Sequence, residues 1–467
     1  MSHNPTAIGA RPLGAAKYVP AVVMGLGGFI ATFDVTAVSL VLADIGTQFT
    51  VDIAGSVWVM NGYSLALTVM LIVAGGLADR YGHQLSVIAG AALFGIASVA
   101  CAFAPHFGVL VGGRVLQGIG GAFIVCGGLA LVGTHYTEKA DRVRAFALIG
   151  TIQGSALVLG PGLGGIIAGT LGWEWIFVIN VPVCVFIIAG CLVARKQRGA
   201  RKDNPLDVLG LAVFSALLFL TTWLLLYGPV VGSARLSWPI VAAVLLALFA
   251  GFVFVERRVR HPAVDLGLFR VRGFVGLALV PLCLAVSYWS LMVYLPLFLE
   301  SSLRLGINTI SYLMLFFTVP LFAVPYLVTR LATRARQSVF YGSGLAAVAA
   351  GCLTIALGAQ FRSLGAVIAG MIIAAIGAAS VQNQVTGALI ATAPPDRAGS
   401  VAAIMTILRQ GGFAVGSALL SNATGGFPLL FGVCVLVAGV GAVSAFLLIR
   451  SDETRSDREV TGGLESG

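Results

Sequence analysis

Asp34 and Arg114 stand inside long apolar stretches, where a charged side chain costs about 2.5–3.5 kcal/mol to insert in a bilayer. Asp34 lies about two-thirds along the first stretch. A carboxylate at that depth is expensive when charged and cheap when protonated, so it is a natural carrier of a proton. The structural alternative is an acid at a helix end reaching for the interface. Arg114 cannot shed its charge and needs a partner or water. It is either a lock on the fold or a countercharge that approaches Asp34 in one conformation and tunes its hold on the proton. Glu300 ends the run YLPLFLE and reads as a second titrating group at the outer mouth or as a solvated helix-end acid. Arg409, in ILRQGGFAVG, either faces a central cavity or closes the bundle.

Neutral polar and aromatic residues in the same stretches are candidates for holding a ligand. They are Trp58, Asn61, Tyr63, Gln153, Tyr288, Trp289, Tyr294, Gln382 and Asn383. Aromatic surfaces with few polar anchors suit flat or amphipathic organic molecules, although each aromatic taken singly also suits packing or an interfacial anchor. Gln382, Asn383 and Gln384 are consecutive amides and cannot all face lipid. A further set reads as conformational. Gln117 follows Arg114, and Gly154, Gly160, Pro161, Gly164 and Gly165 crowd one segment, where proline removes a helix hydrogen bond and glycine permits close approach. Asp79, Arg80 and Gly82 lie in an expected short loop at 75–84, placed to latch helix ends.

These residues need an apolar scaffold. Of 467 residues, 58% are hydrophobic and 10% are charged, against about 25% charged in a soluble domain, and the mean hydropathy is +1.00. That composition cannot cover a water-exposed surface, so the chain is an all-α integral membrane protein. Apolar runs predict fourteen spans, at about 18–42, 54–77, 85–105, 107–133, 143–170, 173–193, 207–228, 237–256, 273–299, 307–330, 338–358, 363–392, 398–420 and 426–449. With both termini cytoplasmic, 23 of the 28 Lys and Arg fall in cytoplasmic segments and three outside, which sets the orientation. The chain divides into a tail 1–17, six helices over 18–194, two basic loops with an inserted helix pair over 195–272, six helices over 273–449 and a tail 450–467. Two six-helix halves suggest a site between pseudo-repeats.

The net charge of +10 resides in loops and sets orientation; no basic stripe suggests nucleic acid. The seven cysteines lie in apolar runs without a CxxC, and the five histidines show no paired metal spacing. No GxxxxGK[ST] is present, so neither ATP nor a metal is expected, nor any other cofactor, and the chain does not read as an enzyme.

Several segments in order resemble the major facilitator superfamily and, more narrowly, its branch of 14-helix drug:proton antiporters. FDVTAVSLVLADI (33–45), GGLADRYG (75–82), LVGGRVLQGIGGA (110–122), GSALVLGPGLGG (154–165) and WEWIFVINVP (173–182) resemble landmarks of the first half. LDVLG (206–210), DLGLFRVRGF (265–274), YLPLFLE (294–300) and ILRQGGFAVG (407–416) resemble later ones. The chain departs at Ser39 and Ala43, where Asn and Pro are usual, at His83-Gln84 for a basic pair, at Cys126 for a proline and at Glu300 for a Gln. The resemblance implies two six-helix bundles plus two inserted helices in a bacterial cytoplasmic membrane. It implies proton-driven export of small amphipathic organic molecules by a monomer, with Asp34 and Arg114 in the coupling. Proton-coupled import on the same fold is the alternative.

Overall fold

The computed structural model describes residues 18–135, 138–193, 216–217, 219–224, 238–256, 266–332, 336–392, 398–421 and 426–449, which contain helices and no strand. The two tails, the basic loop at 195–206 and most of the expected span at 207–228 lie outside the described residues. The elements of the first half are α1 (Val19–Val38), α2 (Leu42–Phe49), α3 (Ile53–Tyr81), α4 (His83–Ala102), α5 (Phe107–His135), α6 (Lys139–Leu171), α7 (Glu174–Val178) and α8 (Asn180–Val193). Then come α9 (Trp238–Glu256), α10 (Arg272–Leu284), a π-helical turn at Ala285–Trp289, α11 (Ser290–Ser301), α12 (Ile307–Ala332), α13 (Gln337–Gln360), α14 (Leu364–Ala391), α15 (Ala398–Ser421) and α16 (Phe427–Ser444). Ten helical stretches among the described residues are long and apolar enough to cross a membrane. Helix is the form these sequences must take in lipid, because it satisfies every backbone N–H and C=O within the segment. The outward side of α9 leaves Ile240, Leu246, Phe249 and Phe254 exposed, as a lipid-facing surface requires.

Three element boundaries differ from the sequence reading, one of them the division of the expected span 173–193 into α7 and α8. The first apolar run does not continue to residue 42. It stops after Val38, where the Ser39 hydroxyl donates to the Thr36 carbonyl at 2.8 Å, and a separate short helix, α2, carries Asp44. The expected loop at 75–84 is almost wholly helical. The α3 helix runs on through Asp79 and Arg80 to Tyr81, and only Gly82 breaks it, at φ +105°. Glycine alone takes that backbone conformation without strain, so one residue suffices for the turn. Pro161 lies inside α6 without ending it; the helix runs from Lys139 to Leu171.

Helices α1 and α3–α8 pack together, as do α10–α16. Each group is built around one close crossing with a glycine on both helices. Where α4 meets α5, a Cβ on Gly90 would lie 2.6 Å from the Gly120 carbonyl. Where α13 meets α14, a Cβ on Gly370 would lie 2.7 Å from the Gly351 carbonyl. Lipid tails supply no hydrophobic drive between helices, so backbone proximity and dispersion must hold these pairs.

The groups meet along two seams. Helices α6 and α12 run antiparallel, with Gly154 against Phe322, Gly165 against Ser311 and Gly169 against Asn308. Helices α3 and α15 meet where the Ser417 hydroxyl donates to the Asn61 Oδ1 at 2.9 Å, and Tyr294 of α11 donates to the Ser417 carbonyl. At that same end Trp173 donates to Gln48 at 2.6 Å and stacks edge-on against Phe49. The opposite end of α3 leaves Arg80 and Tyr81 exposed.

A side chain at the glycine crossings should be resisted. Gly351→Val forces a Cβ against the Ala374 backbone, and overpacking of that kind costs about 1–3 kcal/mol. Gly432→Ala, where no atom lies within 4 Å of the added Cβ, should be neutral or slightly stabilising by removing helix-interior glycine. Thermal unfolding midpoints in detergent should fall for the first variant and hold for the second.

Candidate functional site

Helices α1 and α5 bring two of the deep charges together. Arg114 of α5 forms a salt bridge through Nη1 to the Asp34 Oδ2 of α1, and both side chains are fully buried. Arg114 Nη1 also donates to Gln117 Oε1 at 2.8 Å, one helical turn on, and its Nε donates to the Val59 carbonyl of α3 at 2.8 Å. Gln117 in turn donates to Ser98 of α4 at 2.7 Å. The guanidinium lies over the Tyr63 ring, 4.7 Å from its centroid, with Phe177 on another side at 5.7 Å. A desolvated cation–π contact contributes about 2 kcal/mol. Asn180, at the start of α8, donates to the other Asp34 oxygen at 3.2 Å.

The set is incompletely satisfied. Arg114 Nη2, Asn180 Oδ1, the Tyr63 hydroxyl and Asn61 Nδ2 are buried without a hydrogen-bond partner. Such orphaned groups each cost about 1–3 kcal/mol. Of these, Arg114 Nη2, Asn180 Oδ1 and the Tyr63 hydroxyl belong to residues of the ion-pair network, which another arrangement of the helices would satisfy differently.

A cavity of about 250 Å³ lies between the two helix groups, on the Arg80 side of the Asn61–Ser417 closure. Its wall includes Thr32 and Val35 of α1, Tyr63 and Leu67 of α3, Gln153 of α6, Trp289, and Arg409, Gln410 and Phe413 of α15. Gln153 and Arg409 are exposed although each stands mid-helix, because they face this space. Trp289 Nε1 donates to Gln382 Oε1 at 3.0 Å, and both residues also line a small recess beside Arg409. Asp34 is not on the cavity wall; Tyr63 belongs to both places, touching the cavity and the Arg114 guanidinium.

The other singled-out residues separate. Trp58 packs near Phe219 with ring centroids 5.7 Å apart. Tyr288 stacks on Phe317 at 4.2 Å and donates to its carbonyl. Tyr294 is buried at the seam. These three are not on the cavity wall: the Trp58 ring packs against its neighbours, and in Tyr288 and Tyr294 packing takes the ring and a backbone carbonyl takes the hydroxyl. Asn61 serves the closure instead of the cavity. Gly160 packs on Thr36 and Gly164 on Ala37, so the glycine-rich part of α6 seats α1 on one side and α12 on the other. Arg80 lies over the Tyr81 ring at 5.7 Å. The side chains of Asp79 and Asn383 lie outside the described residues. Glu300 is half-buried at the closed end. Asp44 stands near it on α2, and partial burial together with neighbouring Glu174 pushes the Asp44 carboxyl above its usual range.

Sequence reasoning passed over Asn180, Ser98, Ser417, Thr32 and Gln410. Their shared signal was a polar side chain within an apolar helix, which many serines and threonines also give while bonding only to their own backbone, as Thr68 does to Ser64.

The profile of the Major Facilitator Superfamily matches residues 24–417, with a second match over 277–464. The chain is 28% identical to the multidrug resistance protein Stp of Mycobacterium tuberculosis, over 86% of this chain and 74% of that one. It is 28% identical to the methylenomycin A resistance protein of Streptomyces coelicolor, over 95% and 96%. It is 27% identical to the multidrug efflux pump LfrA of Mycolicibacterium smegmatis, over 87% and 80%. Among solved structures, a peptide transporter POT in complex with sulfate superposes with a TM-score of 0.69 over 93% of this chain and 94% of that one; at 15% identity the likeness concerns the fold alone. A profile matched along most of its length and a shared fold establish that this multi-pass membrane protein belongs to the Major Facilitator Superfamily of transporters.

Proposed function

We propose that the chain is a proton-coupled antiporter that exports small amphipathic organic molecules across a bacterial cytoplasmic membrane. The observation that carries the reading is the buried Asp34–Arg114 pair, touching through Tyr63 a cavity between two helix groups. Relatives described as multidrug and antibiotic resistance proteins support export. The fourteen-span reading and the cytoplasmic placement of both termini belong to this proposal, as does a working monomer that draws on the proton gradient and needs no cofactor or ATP.

In this reading the end bearing Arg80 faces the cytoplasm and the Asn61–Ser417 end faces outward. The conformation is then closed to the outside, with the cavity reached from within. Asp34 is paired with Arg114, having released its proton, and a substrate enters from the cytoplasm. Rocking of the halves opens the outer seam, releases the substrate and parts Asp34 from Arg114. Separation would leave two unpaired buried charges, and stripping one partner from such a pair costs about 3–5 kcal/mol. A proton from outside on Asp34 relieves the carboxylate's share, which links proton entry to the outward-facing state. The unpaired Asn180 and Tyr63 groups supply alternative partners as the pair parts.

Asp34→Asn should abolish uphill export from proteoliposomes under an imposed pH gradient. It should also lower the thermal midpoint, since Arg114 loses its countercharge at a cost of about 3–5 kcal/mol. Asp34→Asn combined with Arg114→Gln should recover part of that stability but no transport. Export by Asp34→Asn with unchanged pH dependence would sink the coupling role. Proton-driven accumulation by the wild type would replace export with import.

Ser417→Ala removes the hydrogen bond across the outer seam. A net loss of about 1 kcal/mol shifts the conformational equilibrium about fivefold toward the outward-open state. Spin labels at Thr47 and Thr309, both exposed near that end, should report a larger population of long distances in the variant.

A further inference from the structure

The charge on the cavity wall bears on what the cavity takes, an inference that rests on the transport reading above. Arg409 is the twelfth of 24 residues in α15, far from either helix end where a long cation reaches an interface. It is exposed to the cavity and forms no hydrogen bond or ion pair with any described residue. It is also the one charged side chain among the described residues of that wall. The negative charge nearest in kind, Asp34, is fully buried and committed to Arg114. The wall's other polar groups are neutral: Thr32, Tyr63, Ser64, Gln153 and Gln410.

An arginine at that depth keeps its charge and must be matched by water or by an anion. In a space of low dielectric a second cation would be repelled, and an anion would recover what desolvation took from the guanidinium. Its planar fork suits the two oxygens of a carboxylate in parallel hydrogen bonds. Trp289 and Phe413 offer apolar area on the same wall, and the hydrogen bond from Trp289 to Gln382 fixes the indole in place. The two amides, Gln153 and Gln410, can serve either donors or acceptors on the rest of a ligand.

We propose that the cavity selects amphipathic organic anions, carboxylates foremost, with Arg409 as the partner of the anionic head and the Trp289–Phe413 surface as the seat of the apolar body. Recognition of this kind needs no acidic residue on the wall, and a lipophilic cation would find none there among the described residues.

The test uses the purified full chain in detergent and three probes sharing one ring system: 2-naphthylacetate, 2-naphthylacetamide and 2-naphthylethylammonium. Equilibrium binding of the carboxylate should be at least about tenfold tighter than that of the amide, as charge-assisted hydrogen bonds predict, with the ammonium weakest. Arg409→Gln should erase the preference and Arg409→Lys should keep part of it. Equal affinities, tightest binding of the ammonium, or binding of none of the three by well-folded wild type would each overturn the proposal. So would an unchanged carboxylate affinity in Arg409→Gln. The wild-type comparison decides even where a variant does not fold. A parallel proteoliposome assay separates this inference from the reading it rests on. Carboxylate preference without gradient-driven movement would leave the anion site standing and remove the antiporter, whereas gradient-driven export of the ammonium would do the reverse.

Discussion

A buried guanidinium that cannot lose its charge organises the first half of this protein. Arg114 must be matched within a region that excludes water, and four elements answer it: α1 with Asp34, α3 with the Val59 carbonyl and the Tyr63 ring, its own α5 with Gln117, and α7 with the Phe177 ring. Helix α8 joins through Asn180 on the far side of the carboxylate. None of these groups can drift without exposing a charge to apolar surroundings, so the ion pair ties together α1, α3, α5, α7 and α8, of which α1 and α3 also line the cavity. A buried pair of this kind contributes little net stability, since desolvation offsets most of the attraction. Its value lies in specificity: one arrangement satisfies it, and any competing arrangement must find another way to neutralise it.

The second constraint is the membrane's indifference to helix association. Apolar side chains gain nothing by leaving lipid for each other, so contact must come from shape and from shared polar groups. Glycine crossings supply shape within each group of helices, and the same device occurs at α4–α5 and α13–α14. The seams between the groups add other means: glycines of α6 against Phe322, Ser311 and Asn308 of α12, and the hydrogen bond between Asn61 and Ser417. Two helix groups meeting along separate seams around a central cavity is the layout that rigid-body motion of one group against the other requires.

Much of the fold was legible in the sequence because the bilayer imposes a simple rule. Runs of apolar residues of sufficient length become helices, and the described helices end within a few residues of the runs, as with α12 at Ile307–Ala332 against an expected 307–330. The misreadings fall where a backbone detail overrides composition. The chain turns after Val38, where α1 gives way to the short helix α2, and at Gly82, by a positive φ. The aromatic candidates were the least legible part of the site. Tyr63, Tyr288, Tyr294 and Trp289 look alike in the sequence, yet one lies beneath the guanidinium, two are sealed in packing and one faces the cavity.

The sequence by itself determined that the chain is a helical membrane protein and that Asp34, Arg114 and Arg409 are the charges needing an explanation, because a charge inside a long apolar run must be matched wherever the fold places it. Only the tertiary structure decided which of them pair. Asp34 and Arg114 are 80 residues apart and Arg409 is further still, so their meeting depends on how helices cross, and apolar periodicity in lipid does not encode that. The crossings place Arg114 against Asp34 and leave Arg409 on the cavity wall without a partner among the described residues.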